Sequence, residues 1–523
     1  MAAMPRQLRT EFDPITLEIL WARIISIVDE ASATFSRASF STLVREANDF
    51  AVILTDADGR SIAQSTKSIP SFIGTLPATI KTFLEHFPAD TLRDGDVLIT
   101  NDPWLGTGHV HDVNLVVPIF WDGTLIAFAG IASHLPDIGG RIRSTGVREI
   151  FEEGLQIPPL KLFEAGVPNE TLMAMINRNV RVPDHSMGDI LGAVAGCQSL
   201  GVKLQDLLTT EQIDLSALAE ILQSRSESVM RRAIGDVPDG DYHHVVRHDG
   251  FEDRIVIDCT ITVAGDEMKI DYTGSTEQLP RAVNVVPAYT FAYTAYGVKV
   301  LLAPNVPNNE GSFRPITTSA PSGSILNPVY PAASGGRGII GHMLPAAVMG
   351  ALAPVLGNRF GAEGSANSSF TMTGQHNGRR YAVINFLNAG LGATAEREGQ
   401  SVLSFPSNLG NTPVEVMESL APIRILHRAR RRGSGGDGRH RGGDGLDLSF
   451  EFLGDEPAVC SFISTRRIVP PSGASGGQDG ATGSIKINGE LIDPAEHQVL
   501  RNGDRIDFLT AGGGGFGSAK GAL

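Results

Sequence analysis

Apolar positions along the chain alternate between helical spacing and strand-like runs. After an Asp-Pro pair at 13–14, which favours a helix start, DPITLEILWARIISIVDEASATFSRAS predicts a long amphipathic helix. DFAVILTDADGRSIAQ predicts two strands joined by an Asp-Gly turn at 58–59. Residues 96–138 repeat this pattern with an Asp-Gly turn at 122–123. The N-terminal part is therefore expected to consist of hairpins packed on a helix.

The remaining chain changes character twice. Residues 165–235 have helical spacing, whereas strands are expected to dominate 241–330. HMLPAAVMGALAPVL then predicts a helix, and the C-terminal quarter is Gly-rich and β-like. Because no regular βαβ alternation and no fixed repeat occur, we expect an α+β fold with mixed or antiparallel sheets and a helical middle segment.

Composition narrows the class of protein. A chain of 523 residues with 42% hydrophobic and 19% charged residues is typical of a soluble globular protein with several cores. A net charge of −15 argues against nucleic-acid or anionic-membrane binding. The three cysteines have no CxxC spacing and are expected to be buried. With no signal-like N-terminus and no long apolar run, we expect a cytoplasmic protein that binds no membrane.

Ligand-type side chains concentrate in NDPWLGTGHVHDVNLVVPIFWDGTLIAFAGIASHLPDIGG. They are His109, His111, Asp112, His134 and Asp137. Imidazole and carboxylate are the usual ligands of a catalytic divalent metal, and a hairpin brings distant positions side by side. The alternative is that these histidines only bond loop backbone. Asp137 suits either a turn or a carboxylate that holds an imidazole.

Local geometry decides which residues could share a metal ion. A strand would place His109 and His111 on one face, whereas a turn would bring His109 and Asp112 together. The nearby Gly106 and Gly108 favour the turn. A turn would also direct the His111 imidazole away, and the histidine across the hairpin would complete a three-ligand site with a position open for water.

Other acidic residues are weaker candidates. Glu46 and Asp49 lie three residues apart before a strand, where they could position water or transfer a proton, although surface acids are the commoner case. Glu152 and Glu153 are expected to be exposed.

Two glycine-rich segments allow opposite interpretations. The basic stretch 428–445 is expected to be a solvated linker, or else a glycine-shaped loop whose arginines approach an anion or a partner. Four glycines in succession at 512–515 require either a disordered tail or a backbone that closely approaches something, and the second is expected.

NDP, GTGHVHDV and ASHLPDIGG, together with NVRVPDHSMGDI, SFPSNLGNTPVEVMES and TAGGGGFG, resemble the hydantoinase B/oxoprolinase family over residues 13–517. We expect the matching region to divide into a metal-binding α+β part (13–165), a helical segment (166–235) and a β-rich part (241–517). The resemblance implies metal ligation by His109, Asp112 and His134.

The resemblance also implies an activity and a partner. It implies an ATP-dependent hydrolase that opens a cyclic amide such as hydantoin, N-methylhydantoin, 5-oxoproline or a lactam, with manganese or zinc as the metal and magnesium also possible. This chain has no P-loop. ATP is therefore expected on a hydantoinase A-type ATPase subunit in a hetero-oligomer, with no cofactor-binding residue here. This chain has Phe72 where the family commonly has a histidine. The difference bears on which substrate is bound rather than on the reaction class.

Three alternatives stay open. The first is a subunit of an acetone- or acetophenone-type ketone carboxylase. The second is an ATP-independent cyclic amidohydrolase, which would require a (β/α)₈ alternation. The third is a non-enzymatic assembly scaffold, which would need no metal.

Overall fold

The computed structural model describes residues 8–366 and 368–518, so the expectations about the extreme N-terminus and the last five residues lie outside it. The predicted first helix is present. The Asp13 side chain caps it by accepting hydrogen bonds from the backbone N–H of Ile15 at 3.0 Å and of Thr16 at 3.1 Å. The helix begins at Pro14, which needs no hydrogen-bond partner for its nitrogen at this position.

The N-terminal part forms a seven-stranded antiparallel sheet in the order β2-β1-β5-β4-β3-β6-β7. Its helices are α1 (Pro14–Ala38), α2 (Thr42–Arg45), α3 (Thr75–His86), α4 (Glu170–Asn179), α5 (Pro183–Glu211) and α6 (Leu215–Gly235). Its strands are β1 (Phe50–Asp56), β2 (Ser61–Gln64), β3 (Val97–Thr100), β4 (Asp112–Trp121), β5 (Thr124–His134), β6 (Leu160–Glu164) and β7 (Val167–Pro168).

Both faces of this sheet are covered, because alternate residues of each strand point to opposite sides. Val52 and Leu54 pack with α1, α5 and α6 in one hydrophobic cluster. Ala51 and Ile53 pack on the other side with α3 and with side chains from the C-terminal part. Burial on both faces explains why β1 is an unbroken apolar run rather than an alternating one.

The two predicted turns are confirmed. Gly59 has φ +77° between β1 and β2, and the β4–β5 turn has Asp122 at φ +49° and Gly123 at φ +79°. Left-handed backbone at these positions is what the Asp-Gly pairs favour.

The middle part contains a four-stranded sheet in the order β11-β10-β9-β8, in which β10 and β11 are the parallel pair. Its elements are β8 (Gly240–His248), β9 (Ile255–Ala264), β10 (Glu267–Asp271), α7 (Pro287–Leu302), β11 (Ile316–Ser319), α8 (Gly338–Gly341) and α9 (Leu344–Leu356).

Strands β8 to β11 lie in residues 241–330 as expected, but the helix α7 among them was not predicted. It is buried on several sides, so its apolar residues show no single amphipathic stripe. Gly297 of α7 packs against α9, where an added Cβ would lie 3.0 Å from the Cα of Pro345. Tertiary packing, rather than local periodicity, thus selects the helix.

The expectation of no membrane-length apolar run also needs correction. Gly338–Leu356, which has a mean hydropathy of 1.8 in its most apolar window, is long and apolar enough to cross a membrane by length and composition alone. Within the protein, 61% of that window is buried, and Leu344, Val348 and Leu352 belong to the middle hydrophobic cluster. This is the packing expected of a core helix.

The C-terminal part contains two antiparallel sheets, ordered β13-β12-β16-β19 and β14-β15-β20-β17-β18. Its elements are β12 (Ser368–His376), β13 (Arg379–Leu387), α10 (Val414–Leu420), β14 (Ile423–Arg431), β15 (Gly445–Phe452), β16 (Ala458–Ile463), β17 (Ser484–Ile487), β18 (Glu490–Leu491), β19 (Gln498–Leu500) and β20 (Arg505–Leu509). Phe370, Phe450 and Phe508 share one core between the sheets. The expected α+β fold with mixed and antiparallel sheets is confirmed.

The glycine run 512–515 is buried and bonds to several segments at once. The backbone N–H of Gly512 donates to Ala481 and that of Gly515 to Gln478, whereas that of Gly513 donates to Gly443 and that of Gly514 to Glu363. Residues three apart therefore bond to the same neighbouring segment. This is the period of a polyproline II helix, which has no internal hydrogen bonds.

Glycine is required in this run because backbone of another segment lies against each residue. A Cβ would lie 1.9 Å from the Ser434 carbonyl oxygen at Gly512, and 2.1 Å from that of Leu391 at Gly513. The same holds at Gly514. The expected close backbone approach is confirmed.

The basic stretch 428–445 is part of the same assembly. Its first residues lie in β14, and Ser434, Gly435 and Gly436 are buried against the glycine run. The expectation of a solvated linker is wrong, because the glycines form interstrand contacts that larger residues would prevent. Of the two arginines at its centre, Arg439 is exposed and Arg441 lies 3.4 Å from Asp437.

We expect Gly513→Ala to lower the melting temperature by several degrees, because overpacking against rigid backbone costs about 1–3 kcal/mol. Gly235→Ala in α6 is the matched control: its nearest neighbour to a Cβ is 3.9 Å away, and stability should be unchanged or slightly higher. Thermal unfolding by circular dichroism measures both. Equal melting temperatures for Gly513→Ala and the wild type would contradict the packing argument.

Candidate metal centre

The start of β4 and the end of β5 bring two ligand-type side chains opposite each other. Asp112 is the first residue of β4, His134 is the last of β5, and their Cα positions are paired across the ladder. His109 precedes Asp112 by one turn, closed by the Asp112 N–H donating to the His109 carbonyl at 3.2 Å. Gly108, which leads into this turn, has φ +102°, a conformation that favours glycine. The turn expected from the sequence is therefore present.

Three candidate ligand atoms converge in this turn. His109 Nε2 lies 2.7 Å from Asp112 Oδ1, and His134 Nδ1 lies 3.1 Å from that oxygen and 3.2 Å from His109 Nε2. All three side chains are buried. One ligand atom from each lies within 4.8 Å of the others, so the cluster could hold a metal ion.

Hydrogen bonding fixes the form of His109. Its Nδ1 lies 3.1 Å from the carbonyl oxygen of Gly335, which can only accept, so Nδ1 carries the proton. Burial, aided by the charge of Arg337, lowers the pKa of His109 to about 3, so the ring is neutral near pH 7. Its Nε2 is then an acceptor that faces the Asp112 carboxylate oxygen, which is also an acceptor. A cation between them resolves this contact, so the residues fit a divalent metal.

Arg337 holds the other oxygen of the same carboxylate. Its Nη2 donates to Asp112 Oδ2 at 2.5 Å, and its guanidinium lies 4.3 Å from the centre of the Tyr289 ring. Burial would raise the pKa of Asp112, but the guanidinium of Arg337 draws it the other way, and the pKa lies well below its usual value. A Cβ on Gly108 would lie 2.8 Å from Arg337 Cδ, so this glycine also leaves room for the arginine.

The expectation that the turn directs His111 away is only partly right. His111 contributes no atom to the converging set. Its ring nevertheless stacks on His134 with centroids 5.4 Å apart, and lies 5.2 Å from the centroid of His109. His111 therefore supports the two imidazoles from one side.

The weaker acidic candidates separate into one inside the site and two outside it. Asp49 is buried beside it, with Oδ2 3.9 Å from His134 Nδ1. Burial raises its pKa to about 6, more than the nearby His134 lowers it. Glu46 is half-buried at the end of α2, outside the residues that line the cavity. Asp137 pairs instead with Arg181 at 2.5 Å and so links the β5 loop to the start of α5.

Sequence reasoning missed a buried carboxylate that supports the site. Glu153 is buried rather than exposed, and its Oε1 accepts from the N–H of Ser334 and of Gly335, both at 2.6 Å. This fixes the Gly335 peptide, whose carbonyl holds His109 and also accepts from Arg143 Nε at 3.0 Å. The FEEG segment shows two acids together, but nothing in it indicates which one is buried.

A cavity lies in front of the converging atoms, with about 60 Å³ available to the centres of water molecules. All three parts of the chain line it. Its charged lining residues include Asp49, Arg143 and Arg337, and its apolar ones include Phe72 and Phe386. A small molecule could therefore reach the candidate metal ligands from a space lined by both charged and apolar side chains.

Comparison with known proteins gives a consistent result. The family model described as Hydantoinase B/oxoprolinase matches residues 13–519. A proposed D-/L-hydantoinase subunit of Pseudomonas sp. (strain NS671) is 28% identical, covering 97% of this chain and 90% of that protein. The 5-oxoprolinase of Dictyostelium discoideum is also 28% identical over 97% of this chain, which spans only 40% of that longer protein.

Two solved structures have the same fold. The ATP-dependent caprolactamase of Pseudomonas jessenii aligns with a TM-score of 0.88 and 26% identity, covering 97% of this chain and 91% of that one. A nucleotide-free acetone carboxylase aligns with a TM-score of 0.87 and 21% identity, covering 97% and 76%. The second likeness concerns the fold alone.

We predict that replacing His109, Asp112 or His134 with Ala removes most bound metal, because a site with three protein ligands no longer has the required geometry once one of them is lost. His111→Ala is the matched control and should keep most of it. Metal content after dialysis against manganese or zinc, measured by mass spectrometry, tests this. Loss of metal from His111→Ala with retention in Asp112→Ala would show that the ligand assignment is wrong.

A second prediction uses the pKa of Glu153, which burial raises from 4.5 to about 7. Between these values the folded protein holds a proton that the unfolded chain has released, so stability from this group falls as pH rises. Glu153→Gln should therefore melt higher relative to wild type at pH 7.5 than at pH 5.5. In Glu152, a hydrogen bond from Arg141 lowers the pKa, so Glu152→Gln should show no such trend in this range. A flat difference for Glu153→Gln would contradict the assignment.

Proposed function

The chain belongs to the hydantoinase B/oxoprolinase family, and from this premise we propose that it is the metal-binding subunit of an ATP-dependent amidohydrolase that opens a cyclic amide. Its partner would be a hydantoinase A-type ATPase subunit. Hydantoin, N-methylhydantoin, 5-oxoproline and lactams such as caprolactam are the candidate substrates. Members of this family include ATP-dependent enzymes, and the names of the relatives above motivate this choice.

One observation supports the proposal most strongly. In a buried turn, His109 Nε2 and Asp112 Oδ1 approach to 2.7 Å as two acceptors, with His134 Nδ1 beside them. Such a contact is unfavourable in a neutral core and favourable around a cation. Mixed imidazole and carboxylate ligation suits manganese or zinc, and magnesium less well.

The reaction divides between the two subunits. The partner would transfer the γ-phosphoryl group of ATP to the amide carbonyl oxygen. Water then adds to the carbonyl carbon, and the C–N bond breaks as the nitrogen takes up a proton, which leaves an acyl phosphate. A second water hydrolyses this acyl phosphate to the carboxylate and free phosphate. When bound, the metal would lower the pKa of water and polarise the carbonyl.

The residues of this chain would position these groups and move the protons. Asp49, with a pKa of about 6, would accept the proton from water. Arg337 would keep the Asp112 carboxylate turned so that Oδ1 faces the site. Gly335, fixed by Glu153, would keep His109 in the form with a free Nε2.

The test is co-purification with a hydantoinase A-type ATPase subunit, followed by metal analysis and a substrate screen. We expect ATP-dependent opening of one cyclic amide by the complex, and neither ATP hydrolysis nor ring opening by this chain alone. Asp112→Ala should abolish ring opening, whereas Gly235→Ala should not. Turnover by the isolated chain at the rate of the complex would refute the two-subunit proposal.

The same screen separates the alternatives. ATP-dependent consumption of acetone or acetophenone with bicarbonate, without ring opening, would identify a ketone carboxylase. A folded complex that binds no metal would favour a scaffold. The ATP-independent amidohydrolase requires a parallel (β/α)₈ barrel, and none of the sheets in the described part of the chain has that topology.

A further inference from the structure

Arg143 lines the cavity and is not one of the three candidate metal ligands. Its backbone is fixed because Ser461 Oγ donates to the Arg143 carbonyl at 2.5 Å. Its Nε donates to Gly335 at 3.0 Å and its Nη1 to Ser369 Oγ at 3.2 Å. The side chain is thus held between the N-terminal sheet, the middle part and β12.

The shared Gly335 carbonyl places this arginine next to a candidate metal ligand. The same oxygen accepts from His109 Nδ1 and from Arg143 Nε. Among the described residues, no hydrogen bond is found for Arg143 Nη2. By contrast, Arg337 already donates to Asp112. Arg337 Nε also has no hydrogen-bond partner, but among the described residues Arg143 is the cavity arginine whose guanidinium pairs with no carboxylate.

The charges of the cavity call for an anion once the metal is bound. Two carboxylates, Asp49 and Asp112, and two guanidiniums, Arg143 and Arg337, line the cavity. Burial lowers the pKa of Arg143 to about 10, which still leaves it charged near neutral pH. A divalent cation then adds two uncompensated positive charges, which are costly in a buried site.

Five apolar side chains also line the cavity. Ile69 and Phe72 come from the segment before α3, Phe386 from β13, and Leu409 and Ile463 from the C-terminal part. No hydrogen-bonding side-chain group is present on these five residues. A ligand that matches both the charged and the apolar lining residues has an anionic head and an apolar body.

We propose that Arg143 binds the phosphoryl group of the activated substrate, while the wall of Ile69, Phe72 and Phe386 receives its hydrocarbon ring. The inference rests on the proposed function and extends it to a residue and a substrate class. A phosphoryl group carries about −1.5 to −2 charges at pH 7, which matches the metal-loaded cavity better than a carboxylate does. A guanidinium can donate two parallel hydrogen bonds to such a group. The class is a cyclic amide without a charged substituent on its ring.

The experiment measures binding of inorganic phosphate to the manganese-loaded full chain by isothermal titration calorimetry, with acetate for comparison. We expect wild type to bind phosphate more tightly than acetate, and Arg143→Gln to lose at least tenfold in phosphate affinity with metal content unchanged. Arg143→Lys, which keeps the charge but not the forked donor geometry, should fall between the two. Arg141→Gln, an exposed arginine on the same loop, is the matched control and should bind as wild type does.

Undiminished phosphate affinity in Arg143→Gln, or wild-type affinity in Arg143→Lys if the first variant does not hold metal, overturns the assignment. Acetate binding as tightly as phosphate also overturns it. The measurement needs neither the partner nor a cyclic amide. Arg143-dependent phosphate binding without turnover of any cyclic amide would therefore count against the proposed substrate alone, whereas turnover without such binding would count against Arg143.

Discussion

The buried carboxylate of Asp112 is the constraint on which the site depends. An ionised carboxylate taken out of water must be matched by positive charge and hydrogen bonds. Arg337 serves one oxygen, whereas the other faces two imidazole nitrogens of which at least one is an acceptor. The hairpin brings the ligand atoms together, but the compensating arginine comes from the middle part of the chain. The candidate metal centre can therefore be complete only after that part has docked on the N-terminal sheet.

Sequence reasoning succeeded where the structure is local. His109, Asp112 and His134 meet within one hairpin, so turn and strand geometry sufficed to bring them together, and their role as ligands stays a prediction. The helix capped by Asp13 and the hairpins with Asp-Gly turns are equally local. The α+β class followed from the absence of a regular alternation.

Prediction failed where distant contacts decide. Glu153 is buried because it meets the peptides of Ser334 and Gly335, about which its neighbours in sequence carry no information. Helix α7 lacks an amphipathic stripe because it is enclosed by other elements, so periodicity could not identify it. Arg143 and Arg337 stand in segments rich in turn residues, where an arginine is ordinarily exposed. Arg337 is buried and Arg143 half-buried because three parts of the chain meet at one cavity.

The glycine run 512–515 has a consequence for which changes in chain length the fold can accept. Gly512 and Gly515, three residues apart, donate to one segment at 478–481, so the run is in phase with that segment only in steps of three. Inserting one residue would rotate the rest of the run by about 120° and exchange every hydrogen-bond partner, as follows from three residues per turn. Inserting three residues would restore the phase and lengthen the run by one turn. The orientation of residues in this segment therefore repeats every three positions, as that of side chains in a β-strand repeats every two.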